Sequence, residues 1–293
     1  MPSAPASRNA LHRSIRIPNL LHMRITPFIV VFLSLAINAS ADFATEMIDA
    51  TFKLFDPAVT GTSFLVRRDA PDTAYYLVTA NHMLKGTKAD NVTLVLRERL
   101  GDGTFKRRDH SIPIRRDGKR LWVRHEKDDV AVLRLADPLP VPVGAIPIAA
   151  LADEAALKAS RLNVASPIFV LTYPKAFEAS EAGFPVTRQG IIASYPFLPF
   201  AKKHSFLADF TAFGGDSGGP VFVAGAEGHP MIIGMVFAQF RHDEQIKSEY
   251  EERSIHYPLG LGDVLHAHYV RETIELAARP GPASTPETTS SDK

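Results

Sequence analysis

Short apolar or alternating segments, separated by turn-forming residues, recur through the first half of the chain. They are TSFLV at 62–66, AYYLVTA at 74–80, NVTLVLRE at 91–98 and VAVLRL at 130–135. Turn formers such as GDG at 101–103 and RDG at 116–118 lie between them. This pattern is typical of antiparallel strands joined by hairpins, so we predict a small β-barrel over residues 42–140.

The second half repeats this pattern after a break. Residues 137–147, DPLPVPVGAIP, contain four prolines and no helical or strand period, which predicts an extended crossover. We place this crossover at 141–160, with a brief helix in ALADEAALKA. Strand signals then resume at NVASPIFVLTY, TRQGIIASY, HSFLADF, GPVFVAG and MIIGMVFAQF. They predict a second barrel over 161–262.

The end of the chain changes to a helical period. Val264, Leu265, His268, Ile274 and Leu276 are spaced as on one helix face, and Asp263 is suited to cap the helix start. We predict a C-terminal helix over 263–279. Residues 280–293, rich in Pro, Ser and Thr, are predicted to be a disordered tail.

The N-terminal residues have the pattern of an export signal. Arg24 precedes an apolar run at 25–37, and small residues follow at Ala39 and Ala41. We predict a leader and signal over 1–41, with Met23 as an alternative start, and a secreted or periplasmic protein. The run is short for a bilayer, so we expect no stable membrane insertion; a buried helix or an uncleaved anchor is the alternative.

Composition narrows the chemistry. The chain has 293 residues and 45% hydrophobic content, enough for one or two globular cores. Its 33 basic residues balance 32 acidic ones, so charge favours neither nucleic acid nor an anionic membrane. The lack of cysteine excludes thiol nucleophiles and thiolate metal sites. HDE at 242–244 is interpreted as solvated loop and HAH at 266–268 has the wrong spacing, so we assign no metal and no cofactor.

Candidate chemistry centres on FGGDSGGPVF at 213–222, where four glycines surround Ser217. A serine hydroxyl is a weak nucleophile that needs an imidazole to take its proton and an acid to orient that imidazole. His82 directly follows one strand-like run and Asp129 directly precedes another. Taken singly, each has a structural alternative: a solvated or core histidine, a turn carboxylate shared with Asp128, or a simple surface turn.

Together, TANH around His82, DVAVL from Asp129 and GDSGGP around Ser217 resemble, in order and approximate spacing, the trypsin-like (chymotrypsin-fold) serine endopeptidases. The resemblance spans about residues 46–262. It implies an all-β fold of two six-stranded antiparallel Greek-key barrels with the active site between them. It also implies His82 as general base, Asp129 as its orienting acid and Ser217 as nucleophile. The N–H groups of Gly215 and Ser217 would form the oxyanion hole.

The resemblance also suggests the substrate pocket. Thr211 would lie at the base of the primary pocket, flanked by Phe237, Ala238 and Gln239. Thr211 is not an acid, so we expect a neutral or apolar substrate side chain rather than Lys or Arg. Phe237 stands where a serine is common, and a packing role is its simplest interpretation.

One departure from the family concerns Asp216. In trypsin-like zymogens the acid beside the nucleophile pairs with a new apolar N-terminus, but this chain has no RIVGG stretch. Signal removal would leave Asp42 first, a charged residue unsuited to burial. We therefore predict a different partner for Asp216, which the sequence does not identify, and an enzyme active without a propeptide-release step.

Two other functions remain open. A catalytically inert relative would use the same cleft to bind protein, since a fold alone does not guarantee chemistry. A serine esterase is suggested by G-x-S-x-G at 215–219, but that motif requires a helix next, whereas GPVFVAG predicts a strand. The first choice is a serine endopeptidase acting on a protein or peptide substrate. The sequence assigns no oligomeric state.

Overall fold

The computed structural model describes residues 43–71, 73–248 and 251–279, without the side chain of residue 201. The predicted export signal and disordered tail lie outside these residues, as does residue 42, so those predictions stay untested. The predicted limits of the two barrels and of the crossover also stay predictions.

The first half of the chain forms an antiparallel sheet of barrel-like arrangement. Its six longer strands are β1 (Thr51–Phe55), β2 (Thr60–Arg68), β3 (Ala74–Thr79), β4 (Asn91–Arg99), β5 (Phe105–Pro113) and β9 (Ala131–Arg134). The order is β5-β4-β1-β2-β3-β9-β8, where β8 is Val123–Arg124, and β10 (Ile146–Pro147) adds to β2 in parallel. A separate two-residue pair joins β6 (Arg115–Arg116) to β7 (Lys119–Arg120).

Strand β2 shows why the sequences of the central strands are nearly continuous apolar runs. Phe64 and Val66 pack into one buried cluster, while Leu65 between them packs into a second. Because successive strand residues point to opposite faces, both faces of this strand are covered. The sheet therefore has an inner core of its own and an outer face that packs against the rest of the molecule.

The second half closes into a six-stranded antiparallel barrel. Around the barrel the strands are β11 (Pro167–Thr172), β12 (Val186–Ile192), β13 (Ser205–Asp209), β16 (Glu252–His266), β15 (Pro230–Lys247) and β14 (Pro220–Ala224). Closure pairs the barrel's strand edges and so removes the problem of unpaired backbone groups. The predicted all-β fold of two barrels is confirmed.

Helices are few and lie at the margins of the sheets. Residues 43–50 are helical (α1), followed by α2 (Asn81–Gly86), α3 (Glu154–Ser160) and α4 (Ala267–Ala278). Single turns of 3-10 helix occur at Ile148–Ala150, Pro174–Ala176, Phe200–Lys202 and Ala226–Gly228. The predicted short helix is confirmed as α3; the side chain of Asp153 caps it by accepting a 2.8 Å hydrogen bond from Ala156 N.

The C-terminal helix is confirmed, but its predicted start was wrong. It begins at Ala267, and Asp263 lies in β16, paired with Leu207 on one side and Ala238 on the other. Barrel closure uses residues up to His266, so the helix begins four residues later than Asp263. The local helical period could not reveal those two strand partners.

The interpretation of residues 242–244 as a solvated loop was wrong, because they lie in a strand. Strands β15 and β16 stay paired from Gly234↔His266 out to Lys247↔Glu252, far beyond the barrel wall. We call the outer part, residues 241–247 and 252–258, the arm. No helix in the described part of the chain is both long and apolar enough to cross a membrane.

Candidate active site

His82 and Asp129 form a hydrogen-bonded pair at the edge of the first sheet. His82 Nδ1 lies 2.6 Å from Asp129 Oδ2, and the backbone N–H of His82 donates to Asp129 Oδ1 at 2.9 Å. His82 lies in the first turn of α2, directly after β3, and Asp129 lies just before β9, the strand paired with β3. Adjacent strand ends therefore fix both residues.

This pairing controls the charge of Asp129. Burial acts to raise the pKa of its carboxyl, but the hydrogen bonds and charge of His82 outweigh burial and hold that pKa below its usual value. Asp129 is accordingly an anion at neutral pH. It holds the imidazole ring through Nδ1.

Ser217 enters the same region from the second barrel. Its carbonyl accepts a 2.9 Å hydrogen bond from Thr62 N on β2. A Cβ added at Gly61 would lie 3.1 Å from Ser217 O and 2.5 Å from Cε of Met83, the residue after His82. The Ser217 hydroxyl donates to Phe237 O at 3.5 Å; within the described chain it makes no hydrogen bond to His82. Catalytic hydrogen bonds are often looser before substrate binds.

The turn before Ser217 presents unpaired amides. Gly215 has φ +97°, and a Cβ there would come within 2.3 Å of Tyr173 O, so only glycine fits. Among the described residues, the N–H groups of Gly215 and Ser217 donate to no acceptor. Lys175 N donates to Gly214 O at 2.6 Å, which fixes the plane of the peptide that carries the Gly215 N–H. The turn therefore offers two N–H groups without an acceptor in the described chain.

Thr62 is a site residue that sequence reasoning missed. Its buried hydroxyl accepts from Tyr173 N at 3.1 Å and donates to Gly215 O at 2.9 Å. It therefore fixes the peptide that follows Gly215. Its partners lie 111 and 153 residues away, so the sequence showed only a threonine opening a strand.

The unidentified partner of Asp216 is Arg188 on β12. Arg188 Nη2 lies 2.6 Å from Asp216 Oδ1, and Asp216 Oδ2 accepts from Phe213 N at 2.7 Å. The carboxylate is 1% exposed and the arginine side chain 16% exposed. Arg188 also donates to Thr211 O at 2.9 Å. The carboxylate beside Ser217 is thus paired with a guanidinium from within the chain.

Three of the predicted pocket residues, Thr211, Ala238 and Gln239, contact the same strand, β16. Thr211 is exposed with φ +57°, and its N–H donates to Gly260 O at 2.9 Å. Ala238 and Gln239, both half-buried, pair with Asp263 and Gly262 of the same strand β16. Phe237 packs partly against the main hydrophobic cluster, as its packing interpretation expects.

The two histidine-containing stretches at 242–244 and 266–268 have other contacts in the structure. Within the described residues no group of three or more His, Asp or Glu side chains is placed to hold a metal ion. His266 is buried beside Phe200, with ring centroids 4.2 Å apart, and Asp243 of the arm instead contacts His256 at 2.7 Å. Both sites rejected from the sequence thus have local structural contacts.

The chain is similar to a known protein family. The family model described as trypsin-like peptidase domain matches residues 61–235. A solved structure of Rv3671c from M. tuberculosis H37Rv, an inactive serine-to-alanine mutant, shares 18% identity, covers 84% of this chain and 95% of its own, and gives a TM-score of 0.44. A search of curated proteins found no match. The family implies a peptidase of the serine protease type with protein as substrate. The chain belongs to the family of trypsin-like peptidase domains.

Proposed function

We propose that this protein is a serine endopeptidase in which His82, Asp129 and Ser217 form the catalytic triad. The observation that carries the proposal is the 2.6 Å contact between His82 Nδ1 and Asp129 Oδ2, beside a turn that offers Ser217 and two free amides. A positioned imidazole, a fixed carboxylate, a hydroxyl and a pair of donors are the parts that acyl transfer requires.

The reaction would proceed in two halves. His82 Nε2 takes the Ser217 proton as Oγ attacks the scissile carbonyl, and the N–H groups of Gly215 and Ser217 stabilise the oxyanion. The imidazolium then protonates the leaving amine, and the C–N bond breaks to give an acyl-enzyme. Water, deprotonated by His82, hydrolyses that ester and restores Ser217. Asp129 stays ionised throughout and stabilises the imidazolium.

The Arg188–Asp216 ion pair supports activity without a propeptide-release step. The acid beside the nucleophile is already paired inside the fold, so no new N-terminus is needed to hold the turn.

We propose that the protein is exported, on the basis of the predicted signal. We also propose that it accepts a neutral or apolar side chain at Thr211, because that position offers no carboxylate to bind Lys or Arg.

A fluorophosphonate probe tests this function directly. The purified protein is treated with the probe, and the labelled peptide is identified by mass spectrometry, with Ser217→Ala as the control. We expect labelling at Ser217 in a chain that has lost the predicted signal but has undergone no further cleavage, and no labelling in the variant. Hydrolysis of casein should be faster than hydrolysis of a short-chain ester. Loss of Ser217 should lower kcat by at least about 10³-fold.

The other outcomes identify the alternatives. A folded protein that neither reacts with the probe nor cleaves casein would be the inert binding module. Labelling with hydrolysis of the ester alone would indicate an esterase. Activity that appears only after a further N-terminal cleavage would contradict the proposed role of Arg188.

A further inference from the structure

The arm presents two different faces to solvent. Residues directly opposite in an antiparallel pair share a face, and the pairs here are Arg241↔Pro258, His242↔Tyr257, Asp243↔His256, Glu244↔Ile255, Gln245↔Ser254, Ile246↔Arg253 and Lys247↔Glu252. The first face therefore holds four of these pairs, those that contain Arg241, Asp243, Gln245 and Lys247. The second face holds the other three pairs, those that contain His242, Glu244 and Ile246.

Charged side chains on the first face form ion pairs with one another. Arg241 lies 3.0 Å from Asp243, Asp243 lies 2.7 Å from His256, and Lys247 lies 2.8 Å from Glu252. These contacts run along one strand or straight across to the other. They stabilise the hairpin itself and leave little unpaired charge for a partner.

The second face carries exposed apolar side chains interleaved with His242, Glu244 and Arg253. Ile246 is 44% exposed and Tyr257 45%, with the side chain of Ile255 between them partly covered. Phe240 and Leu259, at the base of the arm, are 42% and 54% exposed. Clustered exposed apolar side chains on a protruding element mark an interaction surface rather than ordinary exposure.

The arm is continuous with the candidate active site through β15. Ser217 Oγ donates to Phe237 O, and the arm begins four residues later on the same strand. Strand β14 pairs with β15 only as far as Met235, and the Gly218–Gly219 backbone covers Val236. From Phe237 outward the described chain places no strand on that edge. An open edge therefore runs from beside Ser217 along the arm.

We propose that the arm is a docking surface for an extended segment of the protein substrate, several residues away from the bond that is cleaved. This rests on the proposed endopeptidase function. A strand added along an open edge gains main-chain hydrogen bonds, and its alternate side chains contact the apolar face. Seven arm residues of β15 span roughly 20 Å. Long, unfolded substrates thereby gain binding that short peptides do not.

The test compares matched double variants on the two faces. Ile246→Thr with Tyr257→Thr removes apolar surface while keeping a residue suited to strands. Gln245→Thr with Ser254→Thr alters the opposite face and leaves its ion pairs intact. For each protein, kcat/KM is measured on β-casein, which is unfolded, and on the best tetrapeptide from a cleavage library. Circular dichroism and thermal unfolding verify that both variants fold.

We expect the apolar-face variant to lose about tenfold in kcat/KM on casein and less than about twofold on the tetrapeptide. The opposite-face variant should match the wild type on both. Equal losses on both substrates, or no loss on either, would overturn the proposal. A wild-type dimer that the apolar-face variant converts to monomer, with casein kinetics unchanged, would make the arm an interface between copies.

A binding measurement separates this proposal from the proposed function. The same substitutions are placed in Ser217→Ala, and fluorescence anisotropy follows labelled β-casein. We expect the Kd to rise about tenfold only for the apolar-face variant. If the wild type cleaves nothing, the endopeptidase proposal fails while this measurement still decides whether the arm binds extended chains. An unchanged Kd would sink the docking proposal by itself.

Discussion

At the scale of single residues, the pairing of Asp216 with Arg188 distinguishes this site. A carboxylate that is 1% exposed needs a cation, and the chain supplies one from β12 instead of from its own N-terminus. The guanidinium also donates to Thr172 Oγ1 and to Thr211 O. One side chain therefore joins the turn at Asp216 to the predicted pocket. Stability and pocket shape are coupled at this residue.

We predict that Arg188→Met lowers the free energy of unfolding by roughly 3–5 kcal/mol, because it leaves a buried carboxylate without its cation. Denaturant unfolding measures the loss. The matched control is Arg108→Met on β5, whose 3.3 Å pair with Glu98 is half-exposed and should cost under about 1 kcal/mol. Adding Asp216→Asn to Arg188→Met should restore part of the stability. Equal losses in the two single variants would contradict this account.

At the scale of elements, the turn before Ser217 is held by contacts from both halves of the chain. Thr62 on β2 reaches Gly215 O, and the backbone after β11 reaches Gly214 O through Lys175 N. Neither contact touches the reacting atoms. The first contact fixes the peptide that follows Gly215 and the second fixes the peptide that carries the Gly215 N–H. Thr62 is therefore a positioning residue for the proposed reaction.

Thr62→Val tests that role, since it keeps the side-chain shape and removes the hydroxyl. We expect kcat to fall roughly tenfold to a hundredfold with little change in KM, because displaced donors weaken transition-state binding more than substrate binding. Thr62→Ser keeps the hydroxyl and should recover most of kcat. Steady-state kinetics on one peptide substrate gives both constants. A parallel rise in KM, or failure of serine to rescue, would indicate a merely structural role.

The elements also show what the sequence can predict. Apolar runs located β2, β3, β4 and β9 because their burial is a local property of each run. The spacing of His82, Asp129 and Ser217 suggested one site because a known family shares it. Thr62, Arg188 and the true start of α4 were missed since each depends on a partner distant in sequence. The arm was missed because cross-strand ion pairs, not an apolar pattern, hold its charged face together.

At the scale of the whole molecule, the two halves are joined by polar contacts on more than one side. Glu178, from the second half, contacts Lys53 of β1 at 2.6 Å and Arg107 of β5. Asp128, beside Asp129, contacts His204 at 2.9 Å, and His204 stacks on Tyr269 of α4 at 4.2 Å. Because the proposed triad draws on both halves, these contacts stabilise its geometry as well as the fold.

The junction between barrel and terminal helix contains a buried histidine that links global stability to pH. His266 ends β16, its side chain is fully buried, and its two ring nitrogens have no hydrogen-bond partner in the described structure. It lies among Phe197, Phe200 and Phe206, with ring centroids 4.2 to 5.2 Å away. Burial, with a smaller contribution from His268, lowers its pKa to about 3.

This pKa fixes the direction of the pH dependence. Between about pH 6.5 and the folded value the unfolded chain binds a proton that the folded chain does not, so stability falls as pH falls through that window. We predict that His266→Phe makes the free energy of unfolding less dependent on pH there, because phenylalanine has no proton to take up. Denaturant unfolding at about pH 7, 5.5 and 4.5 measures the slope. His242→Phe on the exposed arm is the control and should retain the wild-type slope. If His266→Phe keeps that slope as well, a group other than His266 must cause the loss of stability at acid pH.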